Sequence, residues 1–355
     1  MKENTMKALR MYAPYDFRYE DVPVPEISDD EILVKIDTAG ICAGDVKTLH
    51  GGIRIWGTGE EDRYIQAPCI GGHEFFGEVA EKGAGVKDVE IGDRVISEQI
   101  VPCNDCEYCR AGNYWMCRQS DVYGFKDHTQ GGFAQYMKFH KNGRNHKIPE
   151  QLTREQAVLI EPYACSMHAV ERGKIRHSDV VVISGLGAIG LGMVTIAKIH
   201  APRLLIGLDM RENRLLKAKE FGADIVLNPA RTDVAEEIMK LTQGYGCDVY
   251  IEAAGSEPSV DQGLKAIRNL GRFVQFGVFK EKISADWNII GDTKEIDILG
   301  SHLGPYCYDA VIQGMLDGSI KTDGIVTHTF AMSDWDKAFE TAEKSPDAIK
   351  VAMRP

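Results

Sequence analysis

Two rhythms of apolar and polar residues divide the chain. Up to about residue 150, apolar positions recur in short alternating runs, as where Ile32, Val34 and Ile36 are set against Leu33, Lys35 and Asp37, and Gly, Pro and Asp cut the runs apart. A period of two with frequent breakers predicts half-buried strands, and many such strands predict a barrel or sandwich. From Val180 onward, short apolar runs at 180–184, 204–209, 225–227, 249–252, 273–276 and 296–299 are separated by stretches with helical spacing. Strand and helix in alternation imply right-handed crossovers and a parallel sheet covered on both faces. The expected fold class is therefore α/β, with a doubly wound parallel six-stranded sheet following a β-rich part. A helix at 309–315 and a strand at 325–330 are expected near the end, in a segment that rejoins the first part.

Length and composition narrow the class. A chain of 355 residues favours two domains. With 44% apolar and 26% charged residues it has the balance of a globular protein that buries sizeable cores. A formal charge of −12 opposes partners that need dense Lys and Arg, so neither nucleic acid nor an anionic membrane surface is an expected partner. The opening Met1 to Arg10 has no apolar core of signal-peptide length and no long apolar run follows, which predicts a cytoplasmic protein. Nine cysteines, four of them crowded between Cys103 and Cys117, suit thiolate chemistry in a reducing compartment better than a disulfide framework.

Candidate chemistry lies in three places. Gly185-Leu186-Gly187-Ala188-Ile189-Gly190 stands between a predicted strand and a predicted helix, where glycines permit the turn, backbone approach to a pyrophosphate and close helix packing. Asp209 ends the next strand 19 residues after Gly190, placed to accept from the adenosine ribose hydroxyls and to repel a 2′-phosphate. NAD is favoured as cofactor, with Arg211 the residue that keeps NADP open. Cys103-x2-Cys106-x2-Cys109-x7-Cys117 brings four soft ligands within fifteen residues, enough to close a tetrahedral structural zinc shell; an iron–sulfur cluster and a disulfide pair are the competing readings. Cys42, His73-Glu74 and Glu161 are the remaining candidates. Taken singly they also read as a buried thiol, a core histidine and a helix-start carboxylate.

The ordered motifs, however, resemble the zinc-dependent medium-chain alcohol and polyol dehydrogenases, the group that includes sorbitol and threonine dehydrogenases. The resemblance runs through Gly40-Ile41-Cys42, Gly72-His73-Glu74-Phe75-Phe76-Gly77, Gly92-Asp93-Arg94-Val95, the four-cysteine lobe, Gly131 to Tyr136, Glu161-Pro162 and the Gly185 to Gly190 loop. It implies a GroES-like catalytic domain over 1–164 and 302–355, carrying the zinc lobe at about 100–118, and a Rossmann domain over 165–301. It implies two zinc ions per chain. One is structural, and the other is catalytic, held by Cys42, His73 and Glu161 with Glu74 as alternating or outer ligand. It also implies a homodimer or homotetramer acting on a small-molecule alcohol. A carboxylate at Glu161 resembles the polyol and threonine branch, so the expected reaction is hydride transfer from a secondary alcohol of a polyol to NAD. A threonine-type amino-acid or amino-alcohol dehydrogenase is the alternative, and a catalytically retired NAD-binding scaffold the alternative of another class.

Two departures from the family pattern stand out. Relatives carry a relay hydroxyl two residues after the catalytic cysteine, whereas this chain has Gly44, so Lys47, Thr48 or water must carry the proton, and Lys47 is the residue assigned. The loop between His50 and Cys69 is also long, and its Trp56 and Arg54 are either substrate or subunit contacts or a loop packing on its own tryptophan. Cys165, Cys247, Cys307 and His168 have no ligand spacing and read as ordinary interior residues, as does Cys69.

Overall fold

The computed structural model describes residues 5–355; residues 1–4, at the head of the stretch read as lacking a signal-peptide core, lie outside them. The chain divides into two units, one formed by the part up to Glu161 together with Asp323–Pro355, the other by Pro162–Thr322. Among the described residues, no helix is long and apolar enough to cross a membrane.

In the first unit a three-stranded sheet pairs Thr5–Ala13 with Asp16–Pro23 and with Cys69–Ile70. A larger sheet runs in the order Asn145–Lys147, Arg94–Ser97, Glu74–Lys82, Ile32–Ile41, Lys350–Arg354, Val326–Ala331, with Tyr136–Phe139 also pairing Ile32–Ile41. The expected alternation along Ile32–Ile41 is only partial. Lys35 is exposed, but Leu33 is as buried as Val34 because the strand is irregular between them and is flanked by two neighbours there. The core gathers Leu9, Val34, Phe75, Phe133, Phe139 and Met353. Register then does the positioning: Gly40 lies opposite Glu74, and Ile41 opposite Val351. Cys42 leaves that strand into a short helix, α1 (Ala43–Leu49).

The second unit is built on six parallel strands in the spatial order Ile225–Leu227, Leu204–Leu208, Val180–Ser184, Cys247–Glu252, Ile267–Gln275, Asp297–Gly300, which is 3-2-1-4-5-6 in chain order. All five residues of Val180–Ser184 are buried, as a parallel strand covered on both faces requires. Its helices include α2 (Ile160–Arg172), which starts at the unit boundary, α3 (Ala188–Ile199) and α4 (Tyr308–Leu316). The unit continues to Thr322, further than the boundary at 301 read from the sequence. Tyr163 Oη donates to the Lys321 carbonyl at 3.2 Å, and the Lys321 amide to Thr195 Oγ1 at 3.0 Å.

Candidate metal centres and dinucleotide loop

The first centre forms where the strand ending at Ile41 hands over to α1. One ligand atom each of Cys42, His73 and Glu74 lies within 4.8 Å of the others. Asp45, in the first turn of α1, orients two of them: its Oδ2 accepts the Cys42 amide at 2.8 Å, and its Oδ1 lies 3.6 Å from His73 Nδ1. That second distance is too long for a hydrogen bond, and Nδ1 is a buried nitrogen with no hydrogen-bond partner. Burial opposes charging His73, yet the Asp45 carboxylate and Cys42 beside it drive its pKa well above the usual histidine value. The group therefore favours positive charge at its centre.

Glu74 is buried and is held by Lys350, whose Nζ lies 2.7 Å from Oε1 and 2.5 Å from Oε2. A Cβ at Gly40 would run into Glu74 Oε2, so glycine at 40 makes the room for this pair. Burial works against the Lys350 charge, but Glu74, Cys42 and Glu161 together keep it protonated. Glu161 is 4% exposed and accepts from Gln99 Nε2. The 4.8 Å group does not include Glu161, although its charge acts on the same lysine as Glu74 and Cys42. Sequence motifs assign no role to Asp45, Gln99 or Lys350. The Cys42-x-x-Asp45 spacing of a capping residue was a usable signal for Asp45, whereas Lys350 is 276 residues from Glu74 and only the sheet register joins them.

Residues 44–48 lie beside this group. A Cβ at Gly44 would sit 3.6 Å from Cys42 Sγ, an ordinary contact that shows where a relay hydroxyl would stand. Thr48 is fully buried, and its hydroxyl donates to the Gly44 carbonyl at 2.8 Å. Lys47 is half-buried on the same helix. The long loop packs on itself: Trp56 is 7% exposed and its Nε1 donates to the Thr48 carbonyl at 2.7 Å, so its ring is core rather than a substrate surface. Asp62 ties the next turn by accepting the Thr58 and Gly59 amides, which hold its carboxyl down at about 2.

The second centre is the four-cysteine lobe, where one sulfur from each of Cys103, Cys106, Cys109 and Cys117 lies within 4.8 Å of the others. Sulfurs on a tetrahedral zinc stand about 3.8 Å apart for bonds of about 2.3 Å; here Cys103 and Cys109 are 3.9 Å apart and Cys106 and Cys109 are 3.5 Å apart. All four thiols are free. Backbone amides of Asp105 and Cys106 donate to Cys103 Sγ, lowering its pKa, and amides of Arg118 and Cys109 bring Cys106 down to about 6. Burial and the surrounding thiols push Cys109 up to about 12, the frustration that a cation among four thiolates relieves. Little apolar core supports the lobe; Tyr114 anchors it, 1% exposed with its hydroxyl donating to Glu98 Oε2 at 2.6 Å.

In the second unit the glycine loop connects Val180–Ser184 to α3. Gly185 has φ +94°, where a Cβ would strike Ala254, and a Cβ at Gly190 would collide with the Gly185 carbonyl. Gly187, the N-cap, makes no side-chain cap, and a Cβ there would meet only Arg214 at 4.0 Å, so the amides of Ala188 and Ile189 begin a helix with its positive end open. Asp209 accepts the Leu186 amide at 2.8 Å and the Arg211 amide at 2.9 Å, and the Arg214 guanidinium lies 3.5 Å from it. The acid is thereby fixed against the loop.

Comparison with known proteins places this architecture. Residues 28–150 match the alcohol dehydrogenase GroES-like domain and residues 188–317 the zinc-binding dehydrogenase family. The chain is 42% identical to an erythritol/L-threitol dehydrogenase of Mycolicibacterium smegmatis, covering 99% of this chain and 98% of that one. It is 33% identical to a sorbitol dehydrogenase of Halalkalibacterium halodurans, covering 99% of each. The crystal structure of 2R,3R-butanediol dehydrogenase from Bacillus subtilis superposes with a TM-score of 0.87 at 29% identity, covering 99% of each chain. With a GroES-like unit, a six-stranded Rossmann unit and full-length relatives of this kind, the chain belongs to the zinc-dependent medium-chain alcohol dehydrogenase family.

Proposed function

We propose that the protein is a polyol dehydrogenase that oxidises a secondary alcohol to the ketone and passes the hydride to NAD. The convergence of Cys42, His73 and Glu74, one ligand atom of each within 4.8 Å of the others, carries the reading. Similarity to enzymes named for erythritol, threitol, sorbitol and butanediol supports a small polyol as substrate. Asp209 supports NAD over NADP.

In this reading Cys42, His73 and Glu161 hold the catalytic zinc, and Cys103, Cys106, Cys109 and Cys117 hold a structural one. Zinc supplies a Lewis acid that acidifies the substrate hydroxyl, and NAD supplies the hydride acceptor. The chain's own residues then do the rest. Asp45 fixes the Cys42 backbone and faces the His73 ring, and Lys350 holds Glu74 in a buried pair at the edge of the ligand set. Gly185, Gly187 and Gly190 let the backbone approach the pyrophosphate, which the amides of Ala188 and Ile189 receive, while Asp209 takes the ribose hydroxyls. The substrate proton finds no hydroxyl at Gly44, and the Thr48 hydroxyl is committed to a backbone carbonyl, so we assign Lys47 with water to carry it outward. Nine cysteines without a disulfide support a reducing, cytoplasmic setting. We also propose a homodimer or homotetramer, on the family resemblance alone.

NAD+ reduction across a panel of tetritols, hexitols, vicinal diols, threonine and simple alcohols tests the reading. Zinc-dependent turnover of polyols, lost in Cys42→Ser with NAD binding retained, is expected. Preference for threonine would move the enzyme to the amino-acid branch, and silence throughout with NAD still bound would point to a retired scaffold.

A further inference from the structure

The structure brings together three side chains that sequence spacing keeps apart. On α2, His168 and Glu171 stand three residues apart and so share one helix face. Cys307 is the residue from which α4 starts, and its amide and carbonyl are engaged by Gly304 and Val311. Gly304 makes the approach possible, because a Cβ there would collide with the backbone of Ala164 and Cys165 in α2. Leu303 and Tyr306 flank the turn with φ of +57° and +61°, conformations that non-glycine residues seldom adopt. The result is one nitrogen, one oxygen and one sulfur, each within 4.8 Å of the other two, with Cys307 Sγ 3.9 Å from Glu171 Oε2.

We propose that His168, Glu171 and Cys307 form a third metal site, distinct from the two centres described above, that takes a borderline divalent transition ion of the zinc class. Ligand atoms around a tetrahedral zinc with bonds of about 2.0–2.3 Å stand about 3.2–3.8 Å apart, so small rotamer adjustments close the shell. A thiol, an imidazole and a carboxylate together select zinc, cobalt or nickel over magnesium or calcium, which prefer oxygen alone. Cys307 is 2% exposed, whereas Glu171 is exposed, so the site is anchored in the interior and opens to solvent at its carboxylate. Three protein ligands leave a fourth position for water. Burial, with Arg172 and His302 nearby, holds the His168 pKa down at about 4, which keeps the imidazole neutral and able to ligate. A metal here clips the turn 303–306 onto α2 and ties the start of α4 to it.

Metal content tests this independently of enzymatic activity. The metal-free protein would be reloaded with zinc or cobalt under equilibrium dialysis and its bound metal counted, for the wild type, Glu171→Gln and Cys307→Ser. Wild-type protein is expected to bind one equivalent per chain more than Cys307→Ser, with loss of a sulfur-to-cobalt charge-transfer contribution in that variant. Glu171 is exposed, so Glu171→Gln folds without disturbing the interior, and it is expected to weaken the last equivalent at least about tenfold. If both variants melt as the wild type does and bind as much metal as tightly, the proposal is wrong.

Discussion

Gly44 sits where a hydroxyl would be most useful, and the geometry around it makes the consequence measurable. A Cβ at 44 would meet only Cys42 Sγ, at 3.6 Å, and the backbone there is helical, so a serine can be built at 44 without backbone strain. Stability should change by no more than about 0.5 kcal/mol. Proton transfer by a positioned group is worth about 10²–10⁴-fold in full, but in the proposed relay Lys47 and water already carry part of it, so kcat should rise by about tenfold or less. In Lys47→Ala the pH profile of kcat should move, and Gly44→Ser in that background should restore it. An unchanged profile in Lys47→Ala removes the lysine from the relay. Lys350 makes a different demand. Its pair with Glu74 is buried at both ends, 5% and 1% exposed, and Lys350→Met strands a carboxylate in the interior. Removing one partner of such a pair costs about 3–5 kcal/mol. Denaturant titration should show that loss in Lys350→Met and partial recovery when Glu74→Gln is added. Equal stability of the single and double variants would mean that the two side chains do not depend on one another.

At the scale of elements, the two centres and the dinucleotide loop depend on different kinds of local structure, and they should fail separately. The lobe from Cys103 to Cys117 is mostly exposed, and its order rests on sulfur geometry and on Tyr114. Cys106→Ser should therefore release one zinc per chain and open the lobe to proteolysis while leaving NAD binding in place; retention of full zinc content would contradict four-sulfur ligation. The loop before α3 depends on missing side chains instead. Gly190→Ala drives a Cβ into the Gly185 carbonyl and must displace the helix start proposed to receive the pyrophosphate. NAD affinity, read by fluorescence titration, should fall by at least about 100-fold, the equivalent of about 2.7 kcal/mol, with the metal content of the protein unchanged. The inner strands behind this loop, Val180–Ser184 and Cys247–Glu252, were legible because a strand buried on both faces is written as a nearly unbroken apolar run, and the glycine motif because its spacing is local. Lys350 was not legible, since a charged residue near a chain end has no local signature of burial. Nor were His168 and Cys307, which come together only because Gly304 lets a distant turn settle on α2.

Across the whole molecule, each unit carries a wholly buried thiol that the chemistry does not use, Cys69 in the first and Cys247 in the second. Burial pushes both up to about 12, with no nearby cation sufficient to offset it. An unfolded cysteine ionises near 8.5. Between those values the unfolded chain has released protons that the folded chain still holds, so the folded state loses stability as pH rises above about 8.5. By pH 10 each thiol contributes a loss of about 2 kcal/mol. Alkaline conditions are also those that favour alcohol oxidation, because each turnover releases a proton. Activity at high pH is therefore expected to be limited by the fold before it is limited by the chemistry. Comparing denaturant stability at pH 7 and pH 10 should show a smaller decline in Cys247→Ala than in the wild type, by about 2 kcal/mol, and the same in Cys69→Ala. Because the two thiols lie in separate units, the two effects should add in the double variant. A decline of wild-type size in both single variants would mean that alkaline instability arises elsewhere.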